Sequence, residues 1–167
     1  TMYKRQYYSS RTAHLVEVQT DEGVTGWGEC FGPGNIALGN KGIVEKVIQP
    51  IVLGMDPMDR DVIWHKVYNL LRDHGQKGMP MQSLSGVDIA LWDILGKAEN
   101  KSIAELLGGL KTQSLKAYAS LFLYNNAEAT AKVSLEAKNE GYHIIKLHEN
   151  TMAPIQASRN AIGDTAL

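Results

Sequence analysis

The stretch Gly141-Tyr142-His143-Ile144-Ile145-Lys146-Leu147-His148-Glu149 decides how this chain is interpreted, because here an apolar segment runs into ionisable residues. It lies between two stretches of helix-like composition, and this alternation is typical of a parallel sheet. Side chains along a strand point alternately to opposite faces, so Lys146 and His148 share one face, while Ile145 and Leu147 share the other. The pattern therefore predicts a strand with one packed face and one face that carries two ionisable groups.

Lys146 and His148 are the first candidates for catalytic residues. Two such groups lie roughly 6–7 Å apart along a strand, and each can hold or release a proton. Both fall at the carboxyl end of the strand, where open α/β sheets and α/β barrels carry their chemistry. The alternative is that both are solvated residues at a fraying strand end, and the spacing alone favours this alternative.

The composition is that of a globular protein without the features of a nucleic-acid or membrane binder. The 167 residues are 44% hydrophobic and 21% charged, and the formal net charge is −1. This charge gives no attraction to nucleic acid or anionic membranes, and no apolar run approaches the roughly 20 residues of a membrane span. The single cysteine, Cys30, excludes an internal disulfide and a cysteine-based zinc site. It fits a reducing compartment, so we expect a cytoplasmic protein.

The first part of the chain predicts a β-hairpin followed by helices. Residues alternate from His14 to Thr20, Asp21-Glu22-Gly23 supplies the turn, and Val24 to Cys30 returns. Gly26 and Gly28 within the returning strand indicate a bulge or a close backbone approach. A loop at residues 31–35 precedes three helices. Their apolar stripes are Ile43/Val47/Ile51, then Ile63/Val67/Leu70/Leu71 after Asp59, then Leu84/Val87/Leu91 with Ile94 or Leu95, and Ser83 or Ser85 is the expected cap of the last helix. Ser102 to Glu105 has the form of a capping box.

The second part of the chain predicts alternating strands and helices, the beginning of a parallel α/β unit. The predicted order is strand Leu115–Ser120, helix Ala127–Asn139, the strand quoted above, helix Thr151–Ile162, and a third strand that opens at Gly163. We place the boundary between the two predicted domains at about Gly109 to Ser114. The expected domains are residues 1–113 and residues 114–167.

Four stretches, taken in order, resemble the mandelate racemase/muconate lactonizing enzyme branch of the enolase superfamily. They are Val16-Glu17-Val18-x-Thr20-Asp21-Glu22-Gly23-x-x-Gly26-Trp27-Gly28-Glu29, Ser85-Gly86-Val87-Asp88-Ile89-Ala90-Leu91-Trp92-Asp93-Ile94-x-Gly96-Lys97, Leu106-Leu107-Gly108-Gly109 and Gly141-Tyr142-x-x-Ile145-Lys146. The resemblance implies an α+β capping domain, followed by the first units of a (β/α)7β TIM-like barrel that is truncated here in its third strand. It also implies Mg²⁺ and abstraction of the proton next to a substrate carboxylate.

The resemblance implies roles for Lys146 and His148, with one departure from the family. The family usually carries Lys-x-Lys at the end of its second barrel strand, and the second lysine acts as the base. Here the pattern is Lys146-Leu147-His148. An imidazole titrates near neutrality, which suits a general base, and lysine or histidine bases beside Mg²⁺ are characteristic of this superfamily. We therefore expect both residues to be catalytic.

The metal ligands implied by the resemblance are not found in this chain. The family's three carboxylates lie at the ends of the third, fourth and fifth barrel strands. No residue here can be assigned as a metal ligand, since Asp164 lies at the wrong end of its predicted strand. We therefore expect Mg²⁺ ligands beyond residue 167, and we expect these residues to be a fragment that is inactive alone.

The resemblance also implies that the capping domain sets substrate specificity. Its contributions would be residues 3–10 and the loop at residues 30–40. Arg5, Tyr7 and Arg11 are candidates to bind carboxylate or hydroxyl groups, with ordinary surface as the alternative. Phe31 is expected to pack as a lid.

The expected function is a Mg²⁺-dependent sugar-acid dehydratase, with a small carboxylate as substrate and a homo-oligomer as the assembly. The alternatives are a cycloisomerase or a racemase/epimerase of the same superfamily. A further alternative is a catalytically inactive fragment or assembly module that keeps the fold.

Overall fold

The computed structural model describes residues 12–165, which form two compact units with described parts at 12–111 and 112–165. The first unit contains β1 (His14–Gln19), β2 (Thr25–Cys30), α1 (Ile36–Ile43), a π-helical turn (Val44–Ile48), α2 (Gln49–Val52), α3 (Arg60–Leu71), α4 (Met79–Glu99) and α5 (Ile103–Leu106). The second contains β3 (Ala119–Ser120), α6 (Ala127–Asn139), β4 (Ile145–Lys146) and α7 (Met152–Ile162). None of these described helices is both long and apolar enough to cross a membrane.

The predicted hairpin is confirmed. Strands β1 and β2 pair antiparallel, with Val16 opposite Gly28. The turn closes where the Thr20 N–H donates to the Val24 carbonyl over 2.9 Å. Gly23 adopts a φ of +83° there, a conformation that favours glycine. The local turn chemistry therefore sets the strand register.

Strand β2 lies directly against the backbone of α4. A methyl group at Gly26 would overlap the carbonyl oxygen of Ala90, and one at Gly28 would overlap that of Gly86. Gly86 in turn has no room for a methyl group, because the Cys30 Sγ fills that space. Of the two predicted explanations for these strand glycines, the structure shows the close backbone approach.

Helix α4 forms the centre of the first unit's core. Its buried face packs against the hairpin, the π-helical turn and α3. The buried hydrophobic residues of this cluster are Val16, Cys30, Ile48, Ile63, Val67, Leu71, Leu84, Val87, Ala90, Leu91 and Ile94. The predicted stripes on α3 and α4 therefore do form the core, except that Leu70 is exposed, and of the two alternatives Ile94 and Leu95 it is Ile94 that is buried.

The predicted stripe Ile43/Val47/Ile51 is wrong at Val47, whereas Ile43 packs against the core as predicted. Val47 is 37% exposed, whereas Ile48 is fully buried. The cause is the π-helical turn at Val44–Ile48, which holds more residues per turn than an α-helix and so rotates the following side chains.

The predicted cap of α4 is also wrong. The helix begins at Met79, upstream of both serines, and Pro80 occupies a first-turn position that suits proline. The Ser85 hydroxyl donates to the Met81 carbonyl, and the buried Ser83 hydroxyl points towards Asn40. The predicted capping box of α5, in contrast, is confirmed, because both reciprocal bonds between Ser102 and Glu105 form.

The thiol of Cys30 is expected to be unreactive in the folded protein. Only 1% of the residue is exposed, and burial raises its pKa to about 11. The reactive thiolate is therefore scarce at neutral pH. We expect alkylation of the native protein to be roughly a hundredfold slower than alkylation in denaturant. Mass spectrometry after timed iodoacetamide treatment checks this, and equal rates in both states would contradict it.

Asp93 joins α4 to the hairpin. Its Oδ2 accepts hydrogen bonds from the Lys97 ammonium over 2.6 Å and from the Trp27 N–H over 2.9 Å. Lys97 also donates to the Thr25 carbonyl over 2.7 Å. The Lys97 ammonium, followed by the Trp27 N–H, lowers the pKa of the Asp93 carboxyl. This carboxylate therefore stabilises the fold at pH values above its unfolded pKa, and the contribution disappears as the pH falls through its lowered folded pKa.

Asp93→Asn is expected to lower the free energy of unfolding by about 1 kcal/mol at neutral pH, because two charge-assisted bonds weaken at a partly exposed site. The difference from wild type should shrink below about pH 4, as the wild-type carboxyl takes up its proton. Denaturant titrations at several pH values measure this. Asp73→Asn is the control, since Asp73 pairs with Arg72 on an exposed surface. A difference that does not vary with pH would contradict the prediction.

The second unit is a strand–helix–strand motif with parallel strands, as predicted. Ala119 lies opposite Ile145, and the Leu121 N–H donates to the Lys146 carbonyl over 2.9 Å. Helices α6 and α7 also match their predictions, apart from Thr151, which is the N-cap of α7. The buried residues of this unit are Ala119, Leu121, Val133, Ala137, Ile145 and Ile162.

The strands of this unit are shorter than predicted. The strand predicted at Leu115–Ser120 contracts to Ala119–Ser120, and Leu115 is 85% exposed. A strand extends only where its backbone groups find ladder partners, and here β4 offers them only around Ile145–Lys146. Residues 163–165, where the third strand was predicted to begin, form a turn, and residues 166 and 167 lie outside the described range.

Candidate functional site

Lys146 and His148 occupy alternating exposed positions in the segment that contains β4. Ile145 is fully buried and Leu147 is partly buried against the core of its unit. Lys146 and His148 are both exposed. The predicted alternation of packed and exposed positions is therefore present, and the two exposed positions at the carboxyl end of this parallel strand carry an ammonium and an imidazole.

The imidazole of His148 contacts the loop that follows the neighbouring strand β3. Its Nδ1 forms a short hydrogen bond with the carbonyl oxygen of Leu121. Leu121 is itself held in place, because its N–H donates to the Lys146 carbonyl and its side chain is 1% exposed. The ring of His148 is therefore oriented by a main-chain group that has little freedom to move.

Glu149, which follows His148 directly, binds the same loop. Its carboxylate accepts hydrogen bonds from the N–H of Tyr124 over 2.7 Å and from the N–H of Asn125 over 3.1 Å. The hydroxyl of the buried Thr130, on α6, lies 3.1 Å from this carboxylate and 2.8 Å from the Asn126 carbonyl, so these two acceptors share its proton. One carboxylate thus holds the middle of the loop and the first part of the following helix.

Sequence reasoning assigned no role to Glu149 or to the Leu121 carbonyl. A signal for Glu149 was nevertheless available, because the period of two places it on the packed face with Ile145 and Leu147. A carboxylate on a packed face needs hydrogen-bond donors. The contact of Leu121 involves its main chain, so its side-chain type gives no indication of it.

The predicted substrate-binding residues belong to the first part of the chain. Arg5, Tyr7 and Arg11 lie outside the described residues. Phe31 is 64% exposed, and its carbonyl accepts a hydrogen bond from the Asn40 side-chain amide over 2.9 Å. The loop predicted at residues 31–35 is confirmed, because Cys30 ends β2 and α1 begins at Ile36, so the wider segment 30–40 expected to contact substrate also contains the first part of α1.

The residues present do not fit a magnesium site. Between residues 12 and 165, no group of three or more histidine, cysteine, aspartate or glutamate side chains is arranged to hold a metal ion. Asp164 is exposed in the turn after α7. Glu149 is already used by two main-chain N–H groups and a hydroxyl.

Comparison with known proteins identifies, over most of the chain, the family that the sequence motifs resemble. Residues 5–108 match the family profile described as the mandelate racemase / muconate lactonizing enzyme, N-terminal domain. The chain is 42% identical over 163 residues to a D-galactarolactone cycloisomerase from Agrobacterium fabrum, covering 92% of this chain and 42% of that protein. It is 33% identical over 151 residues to a D-galactonate dehydratase from Klebsiella pneumoniae, covering 87% and 37% respectively.

The fold is also that of a solved relative. The crystal structure of a mandelate racemase/muconate lactonizing protein from Paracoccus denitrificans, complexed with magnesium, matches with a TM-score of 0.82 at 25% identity. The match covers 92% of this chain and 45% of that one. The chain therefore spans less than half the length of each of these three relatives.

Proposed function

Since the chain belongs to the mandelate racemase/muconate lactonizing enzyme family of the enolase superfamily, we propose that it forms part of an enzyme that removes the proton next to the carboxylate of a sugar acid. The observation that carries this proposal is that Lys146 and His148 occupy alternating exposed positions at the carboxyl end of β4. The names of the relatives, a cycloisomerase and a dehydratase of galactose-derived acids, support the substrate class.

In this proposal His148 is the base and Lys146 is the electrostatic partner. A neutral imidazole accepts the α-proton, which leaves negative charge spread over the α-carbon and the carboxylate. The ammonium of Lys146 lies on the same side and stabilises that charge as it develops. The orientation of His148 by the Leu121 carbonyl supports this role, because a base must be held in a fixed position relative to its proton.

The group that leaves after proton removal decides the reaction class. If the hydroxyl on the neighbouring carbon leaves, the enzyme is a dehydratase, and this is our first proposal. Loss of a ring oxygen from a lactone yields a cycloisomerase, and the 42% identity to D-galactarolactone cycloisomerase favours this second candidate. Both reactions begin with the same proton transfer, so the role proposed for His148 is common to them.

Further parts of the proposal concern the whole enzyme. We propose Mg²⁺ as cofactor with ligands beyond residue 167, and the magnesium complex of the Paracoccus denitrificans relative supports the choice of metal. Residues 1–113 would form the capping domain and residues 114–167 the start of a barrel. Arg5, Tyr7, Arg11 and Phe31 would contact the substrate. A cytoplasmic homo-oligomer is the proposed form, and residues 1–167 alone are expected to be inactive.

Proton exchange tests the proposal directly. The full-length protein is incubated with Mg²⁺ in D₂O with a panel of sugar acids and their lactones, and proton NMR follows the α-proton and any product. We expect loss of the α-proton signal for at least one acid. The same incubation with residues 1–167 is the control, and it should show no exchange. A folded, metal-loaded full-length protein that exchanges no α-proton across the panel would overturn the proposal.

A further inference from the structure

We propose that Glu149 is a positioning residue that, by holding the loop Leu121–Asn126, fixes His148 in the tautomer protonated on Nδ1. The Nε2 atom of His148 is then the proton acceptor. This inference rests on the function proposed above for its catalytic meaning. The tautomer itself can be measured without any substrate, so the two ideas can fail separately.

The first step concerns the atoms of the His148 contact. A carbonyl oxygen can only accept a hydrogen bond, so the Nδ1 atom that faces the Leu121 oxygen carries the proton. A neutral imidazole has one N–H and one lone pair, on different nitrogen atoms. The lone pair is therefore on Nε2. The proton of the substrate would be transferred to this atom.

The second step concerns how the Leu121 carbonyl is kept in place. Leu121 is anchored on one side by its bond to the Lys146 carbonyl. On the other side the chain continues into the loop, where Asn125 adopts a φ of +52°, a conformation uncommon outside glycine. A loop with such a bend needs acceptors for its N–H groups. The carboxylate of Glu149 accepts from two of them, at Tyr124 and Asn125.

The third step concerns why a carboxylate is needed. Glu149 accepts from two main-chain N–H groups, and it shares the proton of the Thr130 hydroxyl with the Asn126 carbonyl. An ionised carboxylate offers acceptors on both oxygen atoms, whereas glutamine offers one oxygen and turns an NH₂ group towards a donor. Glu149→Gln keeps the size of the side chain but turns its NH₂ group towards one of the two main-chain N–H groups, so two donors face each other. The loop should then shift, and the Leu121 carbonyl with it.

The experiment measures the tautomer and the activity separately. The full-length protein is labelled with ¹⁵N-histidine, and the His148 signals are assigned by their absence from a His148→Asn variant. At a pH where the ring is neutral, we expect wild type to show an Nδ1–H, Nε2-unprotonated ring. Glu149→Gln should populate the other tautomer and reduce kcat for α-proton exchange roughly tenfold to a hundredfold, with a smaller change in KM. Glu128→Gln, on the exposed first turn of α6, is the matched control and should change neither.

The outcomes separate the inference from the proposed function. A wild-type ring protonated on Nε2, or a Glu149→Gln variant with unchanged tautomer and kcat, would overturn the inference. If Glu149→Gln does not fold, Glu149→Asp replaces it, because a shorter carboxylate keeps the charge but cannot reach all three donors. An Nδ1–H ring in a protein that exchanges no α-proton would support the positioning role and refute the proposed function.

Discussion

Replacing Gly28 by alanine is expected to lower the free energy of unfolding by about 3 kcal/mol, since overpacked sites cost typically 1–3 kcal/mol and this one is formed by main chain. The added methyl group would overlap the carbonyl oxygen and carbonyl carbon of Gly86 and the backbone nitrogen of Ala90. A flexible side chain can move away from such a contact, but the backbone of α4 cannot. The hairpin must therefore separate from the helix that forms the centre of the core.

The matched control for Gly28→Ala is Gly42→Ala. Gly42 lies in α1, and a methyl group there would meet nothing within 4 Å. Alanine is a better helix former than glycine, so this variant should be as stable as wild type or more stable by up to about 1 kcal/mol. Urea denaturation followed by circular dichroism measures both. Surface substitutions usually change the free energy of unfolding by less than about 0.5 kcal/mol. If the free energy of unfolding of Gly28→Ala differed from that of wild type by no more than this, the close packing of β2 on α4 would be refuted.

The sequence predicted the elements whose signals are local. The hairpin depends on Asp21-Glu22-Gly23, and the capping box depends on Ser102 and Glu105, which are three residues apart. Helix α6 was predicted at its observed bounds, and Asn126 caps it by accepting a hydrogen bond from the Ala129 N–H. In each case the deciding interaction joins residues within one turn of chain, so composition and spacing are sufficient.

The wrong predictions depend on features that residue composition and spacing do not encode. The stripe on the first helix was wrong at Val47 because the π-helical turn at Val44–Ile48 changes the number of residues per turn. No residue type in this segment indicates a π-helical turn. The strands were predicted too long because strand length depends on the partner strand, as at Leu115, which finds no partner among the described residues. The period of two was enough to predict that packed residues alternate with Lys146 and His148, which are exposed. It could not show the contact of His148 with Leu121, which lies 27 residues earlier in the chain.

Replacing His148 by asparagine in the full-length protein is expected to reduce α-proton exchange by about a thousandfold, within the range typical of a lost general base. Asparagine keeps an N–H that can donate towards the Leu121 carbonyl, but it has no basic nitrogen to accept the proton. Folding should be preserved, because His148 is exposed and the core below β4 is formed by Ile145. Exchange is followed by NMR in D₂O, with circular dichroism to confirm the fold.

The control for this variant is His143→Asn, which changes an exposed histidine at the other end of the same segment and should leave exchange unaltered. Lys146→Met should lower exchange by roughly a hundredfold, because it removes the ammonium that stabilises charge developing on the substrate. The two losses should differ in kind. Without His148 the proton has no acceptor, whereas without Lys146 the acceptor remains and the transition state is less well stabilised. If the His148→Asn variant exchanged the α-proton as fast as wild type, the base would be another residue of the protein. Lys146 would then no longer act together with His148 in the proton transfer.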